Sequence, residues 1–150
     1  MITIYTDGSA HPNPGPGGYG VVVVNNGLLE HVYQKQTDNT TNNREEIKAI
    51  LYSLIKYGKN KNTPIVYSDS TYCINIFTTW MFGWERNGWI KSDGKTPENL
   101  DLIQAFYDLY QQGYRISLQK VKGHAGNYYN ELADGLATGR IKEMEILNGE

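Results

Sequence analysis

Two short stretches carry a pattern that could do chemistry. IYTDGS, residues 4–9, and VYSDST, residues 66–71, each run from a β-branched apolar residue through Tyr and a hydroxyl side chain to an acid. If each stretch is a buried strand, Asp7 and Asp69 sit just past a strand's carboxyl end, where open α/β sheets form their sites. Parallel neighbouring strands would set the two acids side by side, roughly 5 Å apart. Carboxylates that close repel one another, which raises a pKa or recruits a cation. Taken singly, each Asp is more simply a turn or cap residue, since Asp7-Gly8 is a turn dipeptide and Asp69 could cap a following helix. The echo shifts the balance towards a paired-acid site.

A helix between them supplies further acids. Ile47, Ile50, Leu51, Leu54 and Ile55 recur at helical spacing after a start at Thr41 or Asn42, with Glu45 and Glu46 in the first turn. At ~100° per residue the apolar stripe centres near Ile47 and Leu54. Glu45 then falls opposite it, as an exposed acid, and Glu46 on its flank, able to reach the sheet edge. The last helix, expected over residues 130–142, offers Glu131 and Asp134, and its apolar positions do not choose between them.

Elements that would position these acids follow from punctuation and periodicity. Strands are expected over 2–6, 19–24, 28–36, 64–68 and 115–121, with Asn26-Gly27 closing a hairpin. HPNPGPGG, residues 11–18, reads as turns, and residues 37–43 read as a loop. Helices are expected after Thr41, after Ser70 and over 97–112. The order βββαβααβα predicts a five-stranded mixed sheet flanked by helices.

The 150 residues fit one domain, with a tail after about residue 141 expected to fray. No apolar run approaches the ~18 residues of a membrane span, and Met1 leads straight into a strand, so no signal peptide is expected. The single Cys73 makes no internal disulfide, and no Cys/His cluster has zinc spacing. A reducing compartment, the cytoplasm, and a monomer are the default expectations. Net charge is −2, which argues against a nucleic-acid binder held by bulk positive charge but leaves room for a local basic surface.

Four segments in order, TDGSAHPNPGPGGYG, TTNNREE, YSDSTY and VKGHAGNYYNELAD, resemble the signatures of the type I ribonucleases H and span nearly the whole chain. The resemblance implies the ribonuclease H-like fold, with an inserted handle-like helical element, and an endoribonuclease that hydrolyses the RNA strand of RNA–DNA hybrids. It implies a two-metal-ion mechanism, with Mg²⁺ and Mn²⁺ as a possible substitute, leaving 5′-phosphate and 3′-hydroxyl ends. The four metal-binding acids would be Asp7, Glu46, Asp69 and Asp134, the last chosen by the resemblance alone. His124 matches a mobile histidine that assists proton transfer or product departure. Asn13, Asn42 and Asn43 match positions that contact the nucleic acid.

Trp80, Trp84 and Trp89 fall in WMFGWERNGWIKSDGK, which resembles the family's handle but balances Arg86, Lys91 and Lys95 against Glu85 and Asp93. Packing onto the core is expected for Trp80, while Trp84 remains a candidate substrate contact. A handle this close to neutral implies weaker binding with a shallower salt dependence than in basic relatives. A non-catalytic hybrid-binding module on the same fold is the alternative, disfavoured because a binder has no need of four converging carboxylates.

Overall fold

The structure, a computed structural model, describes residues 1–121 and 127–147. Three antiparallel strands open the chain: β1 (Ile2–Ala10), β2 (Gly15–Asn25) and β3 (Leu28–Thr40). Asn26 and Gly27, with φ of 52° and 83°, make the left-handed turn that a tight hairpin requires. Helix α1 (Asn42–Tyr57) crosses to β4 (Ile65–Ser68), which lies parallel to β1. Next, α2 (Thr71–Asn75) continues through a π-helical turn, Ile76–Trp80, into α3 (Met81–Arg86). Helix α4 (Leu100–Gln111) leads to β5 (Ser117–Lys120), parallel to β4. Helices α5 (Tyr128–Thr138) and α6 (Glu143–Leu147) complete the described chain. The sheet order is β3-β2-β1-β4-β5, so β1 is central.

Both faces of the sheet are covered, and β2 records it. Val21 and Val23 pack with Ile4, Ala49 and Val66, while Val22 and Val24 pack with Val32, Leu132 and Leu136 of the α5 side. An unbroken run of four buried valines is what a strand between two helical layers needs. A further cluster joins Ile47, Ile50 and Leu54 of α1 to Ile76, Phe77 and Met81, and to Ile103 and Phe106 of α4.

The early strands are longer than their composition predicts. Gly15–Gly18 belongs to β2, and residues 37–40 to β3, through pairs such as Gly17↔Thr37 and Gly15↔Thr40. Strand β3 is an edge, so its end can stay polar without losing its ladder. In the tail expected to fray, α6 is tied back to β3: Gln34 N donates to Glu143 Oε2 (3.1 Å) and Glu143 N to Gln34 Oε1 (2.7 Å). Among the described residues no helix is long and apolar enough to cross a membrane.

Candidate metal centre

Strand β1 runs beside β4 only as far as Tyr5↔Tyr67. Beyond that it keeps to β2, through Asp7↔Gly20, while β4 ends at Ser68. Asp7 therefore lies inside β1, not past its end, at the point where the two parallel strands part. Thr6 Oγ1 donates to Tyr67 O (2.9 Å) and ties the strands together just before the split. The turn reading of Asp7-Gly8 fails because both residues are in the ladder. The cap reading of Asp69 fails too: Ser70 Oγ accepts from Cys73 N (3.1 Å) and caps α2, which leaves the exposed Asp69 carboxylate facing the notch.

Gly8 admits the third acid. A Cβ at Gly8 would run into the peptide joining Glu45 and Glu46, and would sit 2.7 Å from Glu45 O. The first turn of α1 thus rests directly on β1. Glu46 Oε1 accepts from Gly8 N (3.0 Å), and Ser68 Oγ donates to Glu46 Oε2 (3.5 Å), so this side chain spans β1 and β4. One carboxylate oxygen from each of Asp7, Glu46 and Asp69 lies within 4.8 Å of the other two.

Gly20, opposite Asp7, admits α5 in the same way. A Cβ there would stand 2.5 Å from Ala133 O and 2.6 Å from Leu136 Cβ. Asp134, on that helix, lines a cleft of about 420 Å³ with Asp7, Asp69, Asn130, Glu131 and Arg140. It stands at the rim rather than in the tight group, and Arg140 Nη1 is 3.4 Å from its Oδ2.

Burial raises the Asp7 carboxyl from an ordinary 3.8 to about 7; a hydrogen bond from Glu46 works against the rise, and Asp134 and Asp69 add to it. Burial, then the Asp7 charge, raises Glu46 well above the usual range. Without a counter-charge the pair holds on to protons. An all-oxygen donor set of this kind fits a hard divalent cation, and Asp7 and Glu46 must give up protons to bind one.

Glu45 corrects an expectation. It is fully buried rather than exposed: Thr40 Oγ1 donates to its Oε2 (2.7 Å), and Lys48 Nζ lies 2.7 Å from the same oxygen. The buried arc of α1 includes the small residues Ala49 and Ser53, and it centres on Glu46 rather than on the large aliphatics. Counting only Ile and Leu missed the face that lies too close to the sheet for a large side chain. Glu46 is the acid at the middle of that face.

The remaining candidates fall around this centre. Thr41 caps α1 (Arg44 N to Thr41 Oγ1, 3.2 Å), which frees Asn42 from that role. Asn42 Oδ1 accepts from Ala10 N (2.6 Å), and Asn42 N donates to Asn13 Oδ1 (3.1 Å), so Asn13 and Asn42 lock the ends of β1 and α1 together. Asn43 is exposed beside them.

Trp84 is partly buried against the α1–α4 cluster, whereas Trp80 is 41% exposed, the reverse of the packing expected for Trp80. The π turn adds a residue to the helical winding and rotates Trp80 away from the face that Phe77 and Met81 bury. Trp80 and Trp84 still touch, with ring centroids 6.0 Å apart, above a recess shared with Lys91, Ser92 and Asp93. His124 lies outside the described residues.

Arg140 is the site residue that sequence reasoning missed. A helix running to residue 142 would carry it away from Asp134. The signal was Gly139, which ends α5 early in a left-handed conformation (φ 78°).

The RNase H family model matches residues 1–142. The chain is 42% identical over 143 residues to a Ribonuclease H of Thermoanaerobacter sp. (strain X514), covering 95% of this chain and 90% of that one. It is similar to the solved structure of LC9-RNase H1, described as a type 1 RNase H with the type 2 active-site motif. That match has a TM-score of 0.71 and 28% identity, and covers 91% of this chain and 69% of the other. The structure of LC11-RNase H1 in complex with an RNA/DNA hybrid aligns at a TM-score of 0.65 and 23% identity, covering 98% and 99% of the two chains.

Proposed function

From the premise that the chain belongs to the RNase H family and is an endoribonuclease, we propose that it hydrolyses the RNA strand of RNA–DNA hybrids, with two Mg²⁺ ions held by Asp7, Glu46, Asp69 and Asp134. Mn²⁺ is a possible substitute, and the products carry 5′-phosphate and 3′-hydroxyl ends. The observation that carries the reading is the notch itself, with three carboxylates inside 4.8 Å of one another and two of them buried enough to hold protons. A hybrid-binding module without catalysis would gain nothing from burying acids at that cost.

Divalent cations bound there would supply Lewis acidity toward the scissile phosphate and the attacking water. The chain's own part is placement. Asp7 stands between Glu46 and the α5 side of the cleft, so it would help to hold a cation bound on either side. Glu46 accepts from Gly8 N and Ser68 Oγ, which aim its carboxyl into the notch. Asn13, Asn42 and Asn43, at the exposed rim, are our candidates to meet the 2′-hydroxyls that mark an RNA strand. Trp84 and its neighbour Trp80 are candidates for the DNA strand. His124 is assigned to proton transfer or product departure on the resemblance of its loop. The free, buried Cys73 suits a reducing compartment, and we place the enzyme in the cytoplasm.

The test is hydrolysis of an end-labelled hybrid with Mg²⁺, with Mn²⁺ and with chelator, beside duplex DNA and duplex RNA. Cleavage of the RNA strand of the hybrid alone, dependent on metal, is expected. Asp69→Asn should bind hybrid yet lose almost all turnover. Equal cutting of duplex DNA, or near wild-type turnover by Asp69→Asn, would overturn the reading.

A further inference from the structure

The segment after α5 is built to bring one cation back to the cleft. Gly139 N donates to Leu136 O, and Ile141 N donates to Gly135 O (3.0 Å). Gln34 Nε2 donates to Leu136 O (3.0 Å) and to Ile141 O (2.9 Å). The Ile141 side chain packs on Gly135, where a Cβ would collide with it. Arg140 N donates to Thr138 Oγ1 (3.3 Å). The backbone of Arg140 is thus fixed from β3 and from α5, while its side chain is 59% exposed.

That side chain reaches back over the cap. Nη1 and Nη2 lie 3.4 and 3.5 Å from the same oxygen, Asp134 Oδ2. Among the described residues lining the cleft, Arg140 is the one cation facing Asp7, Asp69, Glu131 and Asp134. The pair is long and half in solvent, and such pairs contribute little and exchange readily. Two demands compete for it. Asp134 is wanted free as a metal ligand, and an anionic phosphodiester entering a cleft of carboxylates needs a cation at the rim. A guanidinium suits that second task, because its fork matches phosphate oxygens.

We infer that Arg140 is an exchangeable counter-ion: it holds Asp134 in the free enzyme and turns to a phosphate of the bound hybrid once Asp134 takes up metal. The inference rests on the nuclease reading above and adds a substrate-contacting residue to it.

The test compares the wild type with Arg140→Ala and Arg140→Lys in two measurements. Calorimetric titration with Mn²⁺ in the absence of nucleic acid reads the metal site alone. Steady-state cleavage of a hybrid at several salt concentrations reads substrate binding. For Arg140→Ala, metal binding should tighten about two- to fivefold because Asp134 has lost its competitor. Its KM for hybrid should rise about fivefold or more, and the salt slope should become shallower by about 0.9, the loss of one phosphate contact. Arg140→Lys keeps the charge but not the fork: wild-type metal affinity and salt slope, with an intermediate KM, are expected. Metal affinity that is unchanged or weaker in Arg140→Ala, or an unchanged KM and salt slope, overturns the inference. A wild type that fails to cleave hybrid is a separate result and removes the nuclease reading instead.

Discussion

Replacing Asp7 with Asn should make the metal-free protein more stable and catalytically dead, with a stability gain that grows as pH rises from about 4 to about 7. Folded Asp7 holds its proton up to about 7, whereas the unfolded chain releases it near 3.8. Between those values the folded state binds more protons than the unfolded one, so stability falls as pH rises through that window and levels off above it. At about 1.4 kcal/mol per pKa unit, a rise of this size is worth on the order of 4 kcal/mol. Asn stays neutral throughout and can hydrogen-bond Glu46 whether or not that carboxyl is protonated, but its amide still bears some desolvation. About 2–4 kcal/mol should therefore be recovered at pH 8, or roughly 5–15 °C in Tm. At pH 5, about 1.2 units above the unfolded value, the linkage cost to the wild type is about 1.6 kcal/mol, so the gap between the two proteins should be smaller than at pH 8 by roughly 2–3 kcal/mol.

Urea denaturation of both proteins in chelator, across pH 5 to pH 8, gives the difference directly and cancels titrations of groups away from Asp7, while Glu46, raised in part by the Asp7 charge, contributes to the same pH-dependent gap. Adding Mg²⁺ at pH 8 should stabilise the wild type and narrow the gap, because the ion replaces the missing counter-charge. Turnover of the variant on hybrid should fall by about a thousandfold, since several kcal/mol of charge stabilisation leave with the ligand. A stability gap of equal size at both pH values would refute the account, because it would owe nothing to ionisation.

The other expectations concern how the acids are held. Gly8→Ala should cost more than about 2 kcal/mol, because its Cβ would displace the α1 backbone; residual activity at a temperature where the variant is fully folded should fall further, as Glu46 is pushed from the notch. Glu45→Gln should retain at least about a third of wild-type turnover, whereas Glu46→Gln should lose about a thousandfold, measured side by side on one hybrid. The similar loss of activity in both would mean that the buried Glu45–Lys48 pair shapes the site. Trp84→Ala should lower stability by about 2–3 kcal/mol through lost packing, while Trp80→Ala should change it by less than about 1 kcal/mol, as read by denaturant midpoints.

Much of this arrangement was legible in the sequence, for reasons that particular residues show. Asp7 and Asp69 stand out through the echo of IYTDGS and VYSDST at two strand-like stretches, Glu46 through its place on the flank of the aliphatic stripe, and the structure brings one carboxylate oxygen of each within 4.8 Å of the other two. Strand β4 and helix α1 came from such patterns directly. What escaped depended on contacts between elements. The extension of β3 to Thr40 rests on pairing with β2, which polar residues at a sheet edge do not advertise. The burial of Glu45 depends on which face of α1 meets the sheet, and small residues mark that face as surely as large ones. Asp134 could not be separated from Glu131 by helix periodicity, and the structure places both at the cleft.

Three of the elements that carry the acids, β1, α1 and α5, meet because side chains are missing where they cross. Asp7 has Gly8 beside it in β1 and Gly20 opposite it in β2. Gly8 lets α1 descend on one face until its backbone touches the strand, and Gly20 lets α5 descend on the other near Ala133 and Leu136. Each close approach delivers one acid, Glu46 from α1 and Asp134 from α5, towards the acid between them. Bringing carboxylates together by backbone contact rather than by long side chains limits how far they can move apart, most of all for the buried Glu46. The remaining ways to relieve their repulsion are protonation, the Arg140 counter-charge at the rim, or cations. The same glycines thus gather the carboxylates whose repulsion a bound cation would relieve.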